Sequence, residues 1–181
     1  MIMKTIKERW NKKYVLNCGT ICKGEEPIEM DVYFMRKALE EAELAYREEE
    51  IPIGAVVVYK NKIIGRGHNK VEQDQNPLQH AELIAIKEAS EAIGSWRLID
   101  CDLYVTLEPC IMCSGALVYS RIRRVVFGAY DPKRGCCGSV MEIPQVKEFN
   151  HHVEIKGGVL KEECLEKIQR FFRELRAKKR P

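Results

Sequence analysis

From Asp31 onward, apolar residues recur at Val32, Met35, Leu39, Ala42 and Tyr46. Steps of three and four residues place them on one stripe of a helix of about four turns. Asp31 is a good N-cap, and Pro52 with Gly54 mark the end of the segment. The period then shortens. Ala55-Val56-Val57-Val58-Tyr59 reads as a short buried strand, Lys60-Asn61-Lys62 as a turn, and Ile63 to His68 as the returning strand of a hairpin. A polar loop runs from Asn69 to Gln79. Helical spacing resumes from His80 to Ile93, with Leu83, Ile84 and Ile86 in the apolar pattern and Gly94 as its stop. Leu103 to Thr106 reads as a strand, Ile111 to Tyr119 as a helix, Arg124 to Gly128 as a strand and Val153 to Ile155 as a short fifth strand. Leu160, Cys164, Ile168, Phe171 and Leu175 outline a closing amphipathic helix.

Strands alternating with helices after an opening hairpin predict a single three-layer α/β/α domain. Its mixed five-stranded sheet is expected to be covered by helices on both faces. Residues 1–29 lack sustained periodicity and end in the polar stretch Lys23-Gly24-Glu25-Glu26-Pro27, so they read as an N-terminal extension. Residues 30–181 read as the domain proper.

Composition changes this picture little. The 181 residues are 45% hydrophobic and 31% charged, as in an ordinary globular protein, and a net charge of +3 selects no class of partner. Position says more than the total. Lys4, Lys7, Arg9, Lys12 and Lys13 crowd the start, and Arg173, Arg176, Lys178, Lys179 and Arg180 crowd the end. No apolar run approaches the ~18 residues that would span a bilayer, so no membrane association is expected. The basic start lacks the apolar core and cleavage site of a secretory signal, and Glu8 with an absence of serines speaks against a transit peptide. A cytoplasmic location is expected, where the eight cysteines would be thiols or metal ligands rather than disulfides.

Pro109-Cys110-Ile111-Met112-Cys113 leaves a strand and opens a helix, with proline in its favoured first turn and two thiols three residues apart on one face. A helix N-terminus favours negative charge, so both are expected as thiolates. Alone, Cys-x-x-Cys also fits a thioredoxin-like redox pair or half of a four-cysteine structural zinc site. His80 and Glu82 open another helix about thirty residues upstream. One histidine and two cysteines give a tetrahedral zinc three protein ligands and leave one position open, the mark of a catalytic site. Glu82 then reads as a proton carrier, approaching from a different direction than His80, because residues two apart on a helix do not share a face. The bland alternative is a solvated histidine at a helix start and an unrelated cysteine pair.

His-Ala-Glu followed by Pro-Cys-x-x-Cys is recognised as the signature of zinc-dependent deaminases. Other stretches narrow the resemblance: Ile51-Pro52-Ile53-Gly54-Ala55, Gly67-His68-Asn69, Thr106-Leu107-Glu108 before the cysteines, Ser120-Arg121-Ile122, Val126 to Lys133, and Phe171-Phe172-Arg173-Glu174-Leu175-Arg176. With these, the chain from about Met30 to Lys179 resembles the bacterial tRNA-specific adenosine deaminases. The resemblance implies a cytidine deaminase-like fold, a homodimer, and one Zn2+ per subunit on His80, Cys110 and Cys113. The implied reaction is hydrolytic deamination of adenosine to inosine at the wobble position of a tRNA anticodon. Zinc-activated water attacks the base while Glu82 shuttles protons, and the target base is flipped out of the anticodon stem-loop.

Further roles follow by resemblance alone. Asn69 resembles the asparagine that hydrogen-bonds the flipped base, and Ala81 lies between His80 and Glu82 in the same site. Asp131 and Lys133 resemble contacts to the anticodon backbone and ribose, and Asn150 matches a loop position facing the RNA. Asn69 and Asp131-Pro132 also suit plain turns. Phe171 and Phe172 are adjacent, so both cannot lie in the core stripe, which leaves one, taken as Phe172, for a base or a dimer partner. Arg173 and the basic residues after it face a single acid, Glu174, a footprint for phosphate; positive charge at a helix C-terminus is favourable in any case.

Some features depart from the family pattern. Asn76-Pro77-Leu78-Gln79 precedes the histidine where an aspartate and small residues are commoner. Cys136-Cys137 replaces positions often small in the family; vicinal thiols could bind metal or oxidise, but the pair reads as packing. Cys18 and Cys22 could form an accessory metal pair, whereas Cys101 and Cys164 fall in apolar patterns and read as core. Two rival readings remain, a free-base or nucleoside deaminase of the guanine or cytosine type, and a non-catalytic zinc-binding scaffold subunit. Retention of Glu82 argues against the second.

Overall fold

A computed structural model describes residues 27–178. Cys18, Cys22, the basic start of the chain, Lys179 and Arg180 lie outside the described residues. Strands β1 (Gly54–Tyr59) and β2 (Lys62–His68) form the expected antiparallel hairpin. Its turn is two residues, shorter than patterned, because Lys62 already pairs with Tyr59. Lys60 and Asn61 both have positive φ, 47° and 58°, which suits a two-residue turn whose twist must match its strands. β1 also pairs antiparallel with β3 (Cys101–Leu107), and β3, β4 (Arg124–Ala129) and β5 (Glu154–Lys156) run parallel. The order β2-β1-β3-β4-β5 is a mixed five-stranded sheet, as expected.

Helices cover both faces. Ala55, Val57, Leu103, Val105, Val125 and Phe127 point to one side, beneath α3 (Ala81–Ile93) and α4 (Ile111–Tyr119). The alternate positions Val56, Val58, Tyr104 and Val126 point to the other. There they meet Phe34, Met35 and Ala38 of α1 (Pro27–Arg47) and Cys164 of α5 (Lys161–Lys178). This is the period-2 alternation of a sheet buried on both sides, where each fully buried Val, Leu or Phe contributes about 1.5–3 kcal/mol. A four-residue helix, α2 (Val71–Asp74), interrupts the loop expected to be irregular, and a short 3-10 turn spans Ile143–Gln145.

Several expectations are corrected. Asp31 does not cap α1, which starts at Pro27 and runs for 21 residues. Instead, its 1%-exposed carboxylate accepts from Tyr104 Oη (2.8 Å), Arg124 (2.6 Å) and Lys156 Nζ (2.7 Å), tying α1 to three strands. Burial raises its pKa, but these donors outweigh burial and hold the carboxyl below its usual range. The helix ends at Arg47, before Pro52, with Glu49 in the left-handed region (φ 59°).

The buried stripe of α3 is Ala81, Glu82, Ala85 and Ala89 rather than the larger Leu83, Ile84 and Ile86, which are half-buried. The reason lies in the facing strand. A Cβ on Gly65 would collide with the Ala85 carbonyl and lie 2.9 Å from Ala89 Cβ; one on Gly67 would collide with the Ala81 carbonyl and lie 2.7 Å from the Ala85 nitrogen. Glycine against alanine brings the helix backbone down onto β2, so size rather than hydrophobicity selects the buried positions.

Candidate metal centre and substrate site

The parallel strands end on the edge of the sheet where the antiparallel hairpin begins and returns: Gly54 pairs with His68, and Ala55 with Val105. Crevices outside the carboxyl ends of such strands are the usual ligand sites of α/β sheets. Three segments leaving this edge carry the predicted residues. β2 runs into Asn69, β3 into Glu108-Pro109-Cys110, and β4 into Tyr130 and Asp131.

His80 is the N-cap of α3, with extended backbone (φ −80°, ψ 147°), and Cys110 is the N-cap of α4 (φ −73°, ψ 178°). Two helix N-termini therefore converge on one point. His80 Nδ1 lies 3.7 Å from Cys110 Sγ and 3.4 Å from Cys113 Sγ, and the three donor atoms all lie within 4.8 Å of one another. Tetrahedral zinc, with bonds of about 2.3 Å to sulfur and 2.0–2.1 Å to nitrogen, holds such ligands about 3.6 Å apart. The donor set and its spacing fit a metal of this kind.

Without a metal, the two thiols are held differently. Hydrogen bonding from Cys113, aided by His80, pulls Cys110 down to about 3, against the opposing effect of burial. Cys113 moves the other way, held protonated by its bond to Cys110 and by burial. Two adjacent negative sulfurs are unfavourable in a buried site, and a bound cation is what would compensate them. The Cys110 partner likewise raises the His80 pKa.

Glu82 stands in the first turn of α3, 4% exposed, and burial raises the pKa of its carboxyl. His80 is extended, as the N-cap, while Glu82 lies inside the first turn, and its carboxyl comes within reach of Cys113 and His80. A carboxyl whose pKa is raised by burial is better matched to accepting and returning a proton than an ordinary surface glutamate.

Asn69 is also buried, at 4% exposure. Its Nδ2 donates to Glu50 Oε2 (2.9 Å), and its neighbour Lys70 donates from its backbone to the carbonyl of Gln79, the residue before His80 (3.0 Å). Ala81 is fully buried beneath Gly67. The Asp131 carboxylate is used in its own turn, accepting from the backbone of Lys133 (2.9 Å) and Arg134 (3.1 Å), while the side chain of Lys133 is free among the described residues. Asn150 is exposed and lines a groove with Ile111 and Phe149.

Phe172 packs edge to face on Phe171 (5.5 Å), and Phe171 faces Tyr46 of α1 (6.2 Å). The tail is less uniformly free than its charge pattern predicted. Lys178 pairs with Glu49, and Glu174 is taken by Tyr46 and Arg170, whereas Arg173 and Arg176 form no ion pair among the described residues. The structure does not bring Phe172 or Arg173 into hydrogen bonding with the metal cluster.

Two buried carboxylates went unforeseen. Glu108, just before Pro109-Cys110, accepts from the backbone of Asp131 (3.0 Å), Cys137 (3.0 Å) and Ser139 (2.9 Å), and from the Ser139 hydroxyl. With Cys136 N donating to the Pro109 carbonyl (2.8 Å), it wraps the 131–139 loop against the cysteine corner. Cys136 and Cys137 are buried in that wrap, as packing residues. Glu50 is the other, bound to Asn69 and to the backbone of Gln73. A charged residue at the end of an apolar strand was the available signal for Glu108. Nothing local marked Glu50.

Among known proteins, residues 30–176 match the family described as MafB19-like deaminase. A tRNA-specific adenosine deaminase of Bacillus subtilis is 51% identical over 150 residues, covering 83% of this chain and 93% of that protein. A solved structure from studies of A-to-I editing by tRNA:A34 deaminases at the wobble position superposes with a TM-score of 0.72 at 40% identity, covering 75% of this chain and 98% of the other. A guanine deaminase from Nitrosomonas europaea shares the fold, with a TM-score of 0.65, at 19% identity over 86% of this chain and 98% of its own.

Proposed function

Because the chain belongs to the MafB19-like deaminases, and with its curated relatives to the tRNA-specific adenosine deaminases, we propose that it converts the wobble adenosine of a tRNA anticodon to inosine. The observation that carries this reading is the His80, Cys110 and Cys113 donor set with the buried carboxyl of Glu82 beside it. Sequence identity favours the tRNA substrate over a free base. The guanine deaminase shares only the fold, whereas the tRNA enzyme shares half the residues along most of both chains.

In this reading His80 Nδ1, Cys110 Sγ and Cys113 Sγ hold one zinc ion per subunit. When bound, zinc supplies the Lewis acidity that brings water to its nucleophilic form near neutral pH. With zinc bound, Glu82 would accept one proton of the attacking water at a carboxylate oxygen and pass it to a ring nitrogen of the adenine as the water oxygen bonds to the amine-bearing carbon. It would then carry the remaining hydroxyl proton to the amine, so that the C–N bond breaks, ammonia leaves and a carbonyl oxygen remains on the ring. Asn69 hydrogen-bonds the base, Ala81 lines the site, and Asp131, Lys133, Asn150, Phe172 and Arg173 contact the anticodon stem-loop.

We further infer a cytoplasmic homodimer. Tyr119, 82% exposed, and Ile111 lie along α4 and border an apolar groove of about 420 Å³ with Phe149, surface that a second copy would cover. No helix among the described residues is long and apolar enough to cross a membrane.

The test is to incubate the zinc-loaded protein with a tRNA bearing A at the wobble position, and separately with adenosine, cytosine and guanine. Inosine in the tRNA is expected. Faster turnover of a free base or nucleoside would replace this reading with the small-molecule one.

A further inference from the structure

Glu50 follows the C-terminal end of α1, outside the cluster of His80, Cys110 and Cys113 and away in sequence from Asn69, yet it is 1% exposed. Its two oxygens are divided between two partners. Oε2 accepts from Asn69 Nδ2 at 2.9 Å, and Oε1 accepts from the backbone of Gln73 at 2.7 Å. Its own backbone nitrogen is anchored to the Ala45 carbonyl at 2.9 Å, the C-terminal end of α1. Asn69 is held on its other side by its backbone, which donates to the Ile53 carbonyl at 3.1 Å.

An asparagine amide has two ends of similar shape and opposite hydrogen-bonding sense. Exposed, it turns between them at little cost; against a buried carboxylate, which only accepts, one orientation is permitted. The nitrogen must face Glu50, and the carbonyl oxygen with the second N–H faces elsewhere. The reverse orientation would set two acceptors against each other in a desolvated site, the unfavourable side of hydrogen-bond energetics.

We propose that Glu50 is a positioning residue for base recognition, fixing which face of the Asn69 amide meets the purine. The inference rests on the reading above in which Asn69 touches the substrate. Through Gln73, the same carboxylate also holds the α2 segment, whose loop returns to Gln79 and His80. Its principal effect is on the sense of the amide. A glutamine at this position keeps the shape but offers one acceptor and one donor, so it can satisfy Asn69 in either orientation. An aspartate keeps the charge but withdraws it by one methylene.

The experiment uses the full-length, zinc-loaded protein and an anticodon stem-loop RNA with A at the wobble position. Kinetics are measured for wild type, Glu50→Gln, Asn69→Ala and the double variant, with zinc content and thermal unfolding recorded for each. Asn69→Ala is expected to lower kcat/KM by roughly 10–100-fold, and Glu50→Gln by about tenfold with zinc content unchanged. The double variant is expected to match Asn69→Ala alone, because a residue acting through the amide has nothing to orient once the amide is gone. Glu50→Asp serves as the second variant if Glu50→Gln unfolds, and it predicts the same non-additivity.

Multiplicative losses in the double variant would overturn the proposal and leave Glu50 a packing residue. So would full activity in Glu50→Gln. Unchanged kinetics in Asn69→Ala would instead remove Asn69 from substrate binding, a failure of the underlying reading distinguishable from the other two.

Discussion

Glu82 and Glu50 are both glutamates, both buried, and separated in role by what surrounds them. Glu82 stands beside the His80, Cys110 and Cys113 group with its carboxyl pKa raised by burial, whereas Glu50 is spent on two hydrogen-bond donors. Glu82→Ala should therefore abolish deamination, by at least about 10³-fold, while leaving zinc stoichiometry intact. Metal analysis and a single-turnover inosine assay on the same preparation check this; surviving activity would take Glu82 out of the mechanism. Local chemistry made Glu82, His80 and the two cysteines readable from sequence, because a spaced set of donor residues has few other uses. Glu50 and Glu108 were not readable. Their partners lie 19 and 23 residues away in one case and between 23 and 31 in the other, and only the folded chain brings them together. Asp31 misled for the same reason, since its capping propensity is a local preference that long-range ion pairs to Arg124 and Lys156 override.

At the level of elements, α3 matters most, since it carries both His80 and Glu82 and is set by its contact with β2. The periodicity located this helix but misjudged its buried face, because alanines against glycines leave no strong hydrophobic signal. Gly67→Ala should destabilise the protein by about 1–3 kcal/mol through overpacking and also weaken zinc binding, as the first turn of α3 is pushed away from the cysteine corner. Urea denaturation and competition with a chromophoric chelator measure the two effects.

A second tie joins α1 to β2. His68 Nδ1 lies 3.4 Å from Glu41 and Nε2 3.2 Å from Glu48, with Arg66 bonded to Glu41 and Lys70 to Glu48. Glu41 chiefly, then Glu48, raises the His68 pKa above 6.5. Burial pushes Glu41 upward, but His68 and Arg66 bring it below 4.5. The histidine contribution is complete below about pH 6.5 and is lost as pH rises through its folded pKa. The glutamate contribution is complete above about pH 4.5 and is lost as pH falls through its own. Stability from this cluster is thus greatest between those values. Thermal unfolding of the zinc-loaded protein should fall from pH 6 to pH 8 by more in wild type than in His68→Gln.

For the whole molecule, charge on the last helix is divided between internal pairing and free cations. Lys167, Arg170 and Lys178 are engaged with Glu43, Glu174 and Glu49, and Arg173 with Arg176 remains available for phosphate. The charge count along the tail could not make this division, because two of the three acids, Glu43 and Glu49, lie in or just after α1, more than a hundred residues away. Replacing Arg173 and Arg176 by alanine should raise KM for the stem-loop and reduce the slope of log affinity against log salt by about one per lost phosphate contact. Filter binding across a salt series reads this directly, and an unchanged slope would assign both arginines to solvent.

The three residues that could hold a metal sit at two helix starts about thirty residues apart in sequence, one after the loop that leaves a hairpin strand and the other behind a central strand. Neither corner can bind the ion tightly alone, and the two meet only after β1 has paired with both β2 and β3. Such non-local pairings are slow steps in assembling a chain. Metal capture would then report on folding: during refolding, tight zinc uptake should trail helix formation and coincide with completion of the sheet, so loss of the ion would mark the moment the sheet opens.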